Sequence, residues 1–114
     1  MAEKLRELDK AVAELLGYEV RNIDGVYILP AGQKGVFFPE ELSYYSYDDG
    51  DAVLELITEL RKRGFLASLE FNRQNCTAIF YKPKGDAFTS TTKRIHESVT
   101  RAAYHALAGK EWRE

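Results

Sequence analysis

The stretch LSYYSYDDGDAVLELITELRKRGFLASLEF, residues 42–71, decides the fold. A Tyr-rich lead-in, Ser43 to Tyr47, runs into Asp48 and Asp49. Their oxygens suit the orphan N–H groups of a first helical turn, and their charge suits the positive end of the helix dipole. Val53, Leu56, Ile57 and Leu60 recur at i, i+3, i+4 and i+7, with Glu55, Glu59, Arg61, Lys62 and Arg63 largely on the other side. That spacing predicts an amphipathic helix over about 49–63. Gly64 can take the left-handed conformation that stops a helix. Phe65, Ala67, Leu69 and Phe71 then alternate with Leu66, Ser68 and Glu70, as a half-buried strand does. This helix-and-strand unit reads as the core of the chain.

Working outward, Leu5, Leu8, Val12, Leu15 and Leu16 place a first helix near 3–16, with Gly17 just past its end. Tyr18 and Val20, then Val26 to Leu29, are β-prone, and the Asp24-Gly25 pair between them favours a tight hairpin turn. Pro30 to Gly35 reads as a loop, and Pro39 blocks continuation of a paired strand. Beyond the Phe65 strand, Asn72 to Asn75 form a polar hairpin connection. The next strand, Cys76 to Tyr81, is apolar on both faces, which predicts a helix layer over each face. Ala87 to Thr89 read as one more short strand. A last helix over 93–108, starting among Thr91, Thr92 and Lys93, carries Ile95, Val99, Ala102, Ala103, Ala106 and Leu107 inward. The expectation is one α+β domain over residues 1–114, with three helices and an antiparallel sheet sandwiched between them.

The chain has 114 residues, 45% hydrophobic and 30% charged, with no apolar run near the roughly 20 residues of a membrane span. Charge alternates with apolar residues from Met1 to Leu16, so no signal peptide and a cytoplasmic setting are expected. Cys76 is the single cysteine, which forbids an intrachain disulfide and suits a small buried hydrophobe. A net charge of −2 argues against general nucleic-acid binding. The charges segregate, however. Glu40 to Glu59 holds seven acids and no base, whereas Arg61 to Arg63, Arg73, Lys82, Lys84, Lys93 and Arg94 face only Glu70 and Asp86. That basic half reads either as a solvated edge or as an anion-binding face.

With these pieces in order, the chain resembles the phage ABA-sandwich domain family over nearly its whole length. The marks are Glu14-Leu15-Leu16-Gly17-Tyr18, Tyr45-Ser46-Tyr47-Asp48 leading into Ala52-Val53-Leu54-Glu55-Leu56, Arg63-Gly64-Phe65, and Arg101-Ala102-Ala103-Tyr104-His105-Ala106-Leu107. Members often carry Ser-Thr-Asp at Ser46-Tyr47-Asp48 and a proline at His96. The resemblance implies helices on both faces of an antiparallel sheet and a phage or prophage origin. It implies no known activity.

No catalytic signature stands out. His96 and His105 lie nine residues apart on one helix, hence on opposite sides, and no metal site is expected. No Ser, His and acid trio has readable spacing, and Gly32 with Gly35 lacks the Lys and helix of a phosphate-gripping loop. Neither an enzyme nor a cofactor is expected. Two binding surfaces compete. Arg73, Lys82, Lys84, Lys93 and Arg94 with Thr89, Ser90, Thr91 and Thr92 combine cations, hydroxyls and a helix start, the ingredients of an anion site or of a capped solvated edge, and Arg73, Lys84, Lys93, Arg94, Thr91 and Thr92 are the expected ligand contacts. Tyr45 and Tyr47 offer rings for stacking on a base, or for core packing. The expectation is a non-enzymatic phage accessory protein of the host cytoplasm that sequesters a small anionic nucleotide immune signal, of the cyclic oligonucleotide or cyclic ADP-ribose type. The alternatives are an inhibitor occluding a host defence protein, with the acidic run mimicking nucleic acid, and an accessory of structural role. Seven Tyr, six Phe and one Trp in so short a chain further predict a homo-oligomer.

Overall fold

The computed structural model describes residues 2–29, 40–41 and 50–113. The Tyr44, Tyr45 and Tyr47 cluster, the loop 30–39 and the capping acids Asp48 and Asp49 lie outside the described residues. Along the chain come α1 (Ala2–Leu15), β1 (Arg21–Ile23), β2 (Val26–Leu29), β3 (Glu40–Glu41), α2 (Gly50–Lys62), β4 (Leu66–Phe71), β5 (Cys76–Tyr81), β6 (Ala87–Thr92) and α3 (Ile95–Ala108). The fold is α+β, with three helices packed on antiparallel strands. These strands form two sheets, β1-β2-β3 and β4-β5-β6.

Turn chemistry sets the local geometry. Ile23 pairs with Val26 across Asp24 (φ 50°) and Gly25 (φ 82°), so both turn residues are left-handed, as a two-residue hairpin requires. The Asn22 Oδ1 accepts from the Gly25 N–H at 3.0 Å. Gly64 (φ 90°) closes α2 in the same conformation, and the Phe65 N–H returns to the Leu60 carbonyl at 3.1 Å. The Asn72 Oδ1 accepts from the N–H groups of Gln74 and Asn75, which tightens the β4–β5 hairpin.

The hub is α3 rather than α2. It packs on β5 and β6 and on both other helices. Ser98, Val99, Thr100, Ala102 and Ala103 are buried in it, and side chains this small let a sheet and two helices approach one rod. Leu8, Val12, Leu56, Leu60, Val99 and Phe80 are each at most 1% exposed and share one cluster. At about 1.5–3 kcal/mol per fully buried large apolar side chain, that cluster dominates the stabilisation.

Ala78 and Phe80 point from β5 into this cluster, joined by Leu69 of β4 and Phe88 of β6, and Cys76 is buried on the same face of the strand. The opposite face of β5, Thr77, Ile79 and Tyr81, is half-buried and lies outside it. This second face is more open than the first. Its register neighbours on the flanking strands are Leu66, Ser68, Glu70, Ala87, Thr89 and Thr91, a face that mixes polar with apolar side chains.

Strand β6 runs on to Thr92, and α3 begins at Ile95, two residues beyond the expected start. The β-branched threonines favour extension, and Thr92 turns the chain: its Oγ1 accepts from the Arg94 N–H at 3.2 Å, while its hydroxyl donates to the Arg94 carbonyl at 2.8 Å.

Candidate functional site

The β6–α3 junction combines two kinds of polar contact. Ser98, fully buried in the first turn of α3, accepts from the Thr92 N–H at 3.0 Å and donates to the Cys76 carbonyl at 2.7 Å. It fastens α3 to the end of β5 and β6. Burial then pushes the Cys76 thiol above its ordinary range, partly offset by its contact with Ser98. On the open face, the Thr77 and Thr91 hydroxyls meet at 2.7 Å across the β5–β6 register.

This geometry separates the residues that the sequence grouped as one anion site. Thr91 and Thr92 are neighbours on a strand and point to opposite faces; Thr92 spends its hydroxyl on the turn into α3, and Thr91 spends its own on Thr77. Arg73, in the β4–β5 turn, stands with Lys93 and Arg94 at one end of the sheet, and all three are exposed. Lys84 lies in the β5–β6 turn at the other end. Five register steps, from Cys76↔Thr92 to Tyr81↔Ala87, separate the ends by about 17 Å at roughly 3.4 Å per residue. No single small ligand bridges all four cations. Tyr45 and Tyr47 lie outside the described residues.

A concave site does exist nearby. A cleft of about 450 Å³ runs along the outer edge of β6, lined by Thr89, Ser90, Thr91, Thr92, Glu97, Arg101, His105, Glu111 and Trp112. Glu97, Arg101 and His105 stand at i, i+4 and i+8 on α3 and so form one stripe along that edge. The Arg101 Nε donates to Glu97 Oε1 at 3.1 Å, which holds the guanidinium in a fixed pose. The His105 ring meets Phe88 edge-on at 5.1 Å, and its buried Nδ1 finds no hydrogen-bond partner among the described residues. Trp112 closes the far side. Gly109 caps α3 in the left-handed conformation (φ 76°), and the returning tail sets the indole edge-on to Tyr104 at 5.0 Å.

Thr91 and Thr92 are the two sequence-predicted ligand contacts that line this cleft, together with Thr89 and Ser90 of the wider surface read from the sequence. The residues missed, Glu97, Arg101 and His105, carried a readable signal in their four-residue spacing on a predicted helix, but nothing in the sequence told which strand edge that stripe would meet. Among the described residues no three His, Cys, Asp or Glu side chains gather closely enough to hold a metal ion, and no helix is long and apolar enough to cross a membrane. Comparison of the chain with protein-family models, with curated proteins and with solved structures finds no match.

Proposed function

We propose that this chain is a non-enzymatic binding protein that captures a small nucleotide in the cleft between β6 and α3. The observation that carries this reading is the convergence there of an indole, a positioned guanidinium, an imidazole and strand hydroxyls: Trp112, Arg101, His105 and Thr89. The cleft volume lies within the range of small-ligand pockets. An indole offers a base its π-face, and a guanidinium and an imidazole offer polar edges directional donors. Such a group binds a ligand and leaves it chemically unchanged. Set beside the resemblance to phage ABA-sandwich proteins, the reading extends to a counter-defence role, sequestering a nucleotide signal of host immunity in the host cytoplasm.

The rival reading, an acidic inhibitor mimicking nucleic acid toward a host defence protein, draws less support from the described residues. Glu59, one of its acids, is engaged by Lys62 and Arg63 at 3.3 Å each, so its charge is largely compensated.

The test is thermal shift and calorimetry against cyclic di- and trinucleotides, cyclic ADP-ribose isomers and nucleoside monophosphates, with the ligand recovered by heating. A stabilising shift with intact ligand on release is the expected result. No shift across the panel, or an altered ligand, overturns the reading.

A further inference from the structure

We infer that Trp112 is the shared wall of one extended site, and that the cleft on its other side holds the phosphate of the captured nucleotide. This second cleft, about 490 Å³, is lined by Tyr104, Lys110, Glu111, Trp112 and Arg113. The inference rests on the nucleotide reading above and assigns the two ends of the ligand.

Charge decides the assignment. In the first cleft the cation Arg101 is already tied to Glu97, and Glu111 stands on its rim. A phosphate placed there meets two carboxylates and one compensated guanidinium. In the second cleft Lys110 and Arg113 flank a single carboxylate, and among the described residues neither cation takes part in a salt bridge. The electrostatically favourable pose therefore puts the ring on the Thr89 and His105 side of the indole and the phosphate on the Lys110 and Arg113 side. Geometry allows it, because Glu111 and Trp112 line both clefts and the indole is packed edge-on against Tyr104. Neither cation lies in the basic set that the sequence singled out, since both belong to the tail beyond the Gly109 cap.

Trp112 is the sole tryptophan, so its fluorescence reports on this wall directly. The experiment titrates the four common nucleosides and their 5′-monophosphates into the intact chain and into the Lys110→Ala/Arg113→Ala double variant, at low and at moderate salt. Both substitutions fall on exposed tail residues, so the fold is retained. The expected result is that a monophosphate binds about tenfold tighter than its nucleoside at low salt, as two partly exposed cations supply. This advantage should shrink with salt and vanish in the double variant, whose nucleoside affinity is unchanged. A nucleoside that quenches Trp112 while its phosphate adds nothing, or an advantage that survives in the double variant, overturns the inference and leaves the nucleotide reading standing. No quenching by any member of the panel overturns the inference, while the nucleotide reading stands or falls on the cyclic-nucleotide panel above.

Discussion

The Ser98 hydroxyl donates to the Cys76 carbonyl at 2.7 Å, so a residue in the first turn of α3 completes the hydrogen bonding at the end of β5. The same oxygen accepts from the Thr92 N–H at 3.0 Å, and Ser98 is fully buried. Removing it leaves a carbonyl and an N–H without partners in a dry site, at about 1–3 kcal/mol. Ser98→Ala is accordingly expected to lower the midpoint of urea unfolding by that amount. Thr91→Val, on the open face, is expected to stay within about 0.5 kcal/mol. Equal effects from the two would show that the bridge does not stabilise the fold.

The contrast between Ser98 and α2 explains how much of the fold was legible in the sequence. The α2 face, Val53, Leu56, Ile57 and Leu60, follows from 3.6-residue periodicity, and Gly64 and the Asp24-Gly25 turn follow from backbone sterics. These are local signals, and the element bounds they imply agree with α1 and α2 to within a residue. The role of α3 as hub is not local. It depends on small residues admitting neighbours from three directions, whereas periodicity reports only that one face is apolar. The site was lost in the same way: Thr91 and Thr92 were read as helix-start hydroxyls, but β6 extends through both and turns them to opposite faces.

Gly64→Ala isolates a backbone cost. The space around Gly64 is open, with nothing within 4 Å of an added Cβ, so the penalty comes from its φ of 90° alone. The expectation is a loss of about 1–2 kcal/mol with unchanged helix content by circular dichroism. A neutral variant would mean that the α2 cap relaxes at no cost.

Alkaline pH should weaken the fold. Burial raises the Cys76 thiol above its ordinary 9.0, and burial, followed by Glu59 and Glu55, raises the Tyr18 hydroxyl above 10.0. Both groups therefore hold their protons longer folded than unfolded. Their contribution is complete below the unfolded values and is lost as pH rises through the folded ones. The melting temperature is expected to be flat with respect to these groups near neutrality and to fall above about pH 9. Cys76→Ala should shift the onset of that fall upward. An alkaline limb identical in Cys76→Ala would assign it to Tyr18 alone.

Exposed large apolar side chains are spread over α1, β1, α2 and β4, and β4 carries two of them, Leu66 and Phe71, on a strand at the end of its sheet. Phe71 is 66% exposed and Leu66 44%, whereas Tyr104 and Trp112 pack on each other within the chain. If the chain forms a homo-oligomer, the β4 edge is its natural seam. Light scattering at micromolar concentration should then give a multiple of the chain mass, and Phe71→Glu should reduce it to one chain without lowering the melting temperature. A single-chain mass for the unsubstituted protein ends the idea.

His105→Leu sets stability against binding with opposite signs. The His105 Nδ1 is buried without a hydrogen-bond partner among the described residues, an arrangement that costs about 1–3 kcal/mol in a free protein. Leucine has a similar volume and keeps an apolar contact where the imidazole meets Phe88 edge-on. The ligand-free variant should therefore melt at the same temperature as the parent or higher. If the imidazole exists to meet a polar group of the ligand in the cleft, the same variant should lose most of the ligand-induced thermal shift, about tenfold or more in affinity for one directional hydrogen bond. The two readouts together separate a binding role from a packing role, since a packing histidine predicts a lower melting temperature with the ligand shift intact. That second pattern would remove His105 from the site and leave Arg101, Thr89 and Trp112 as its anchors.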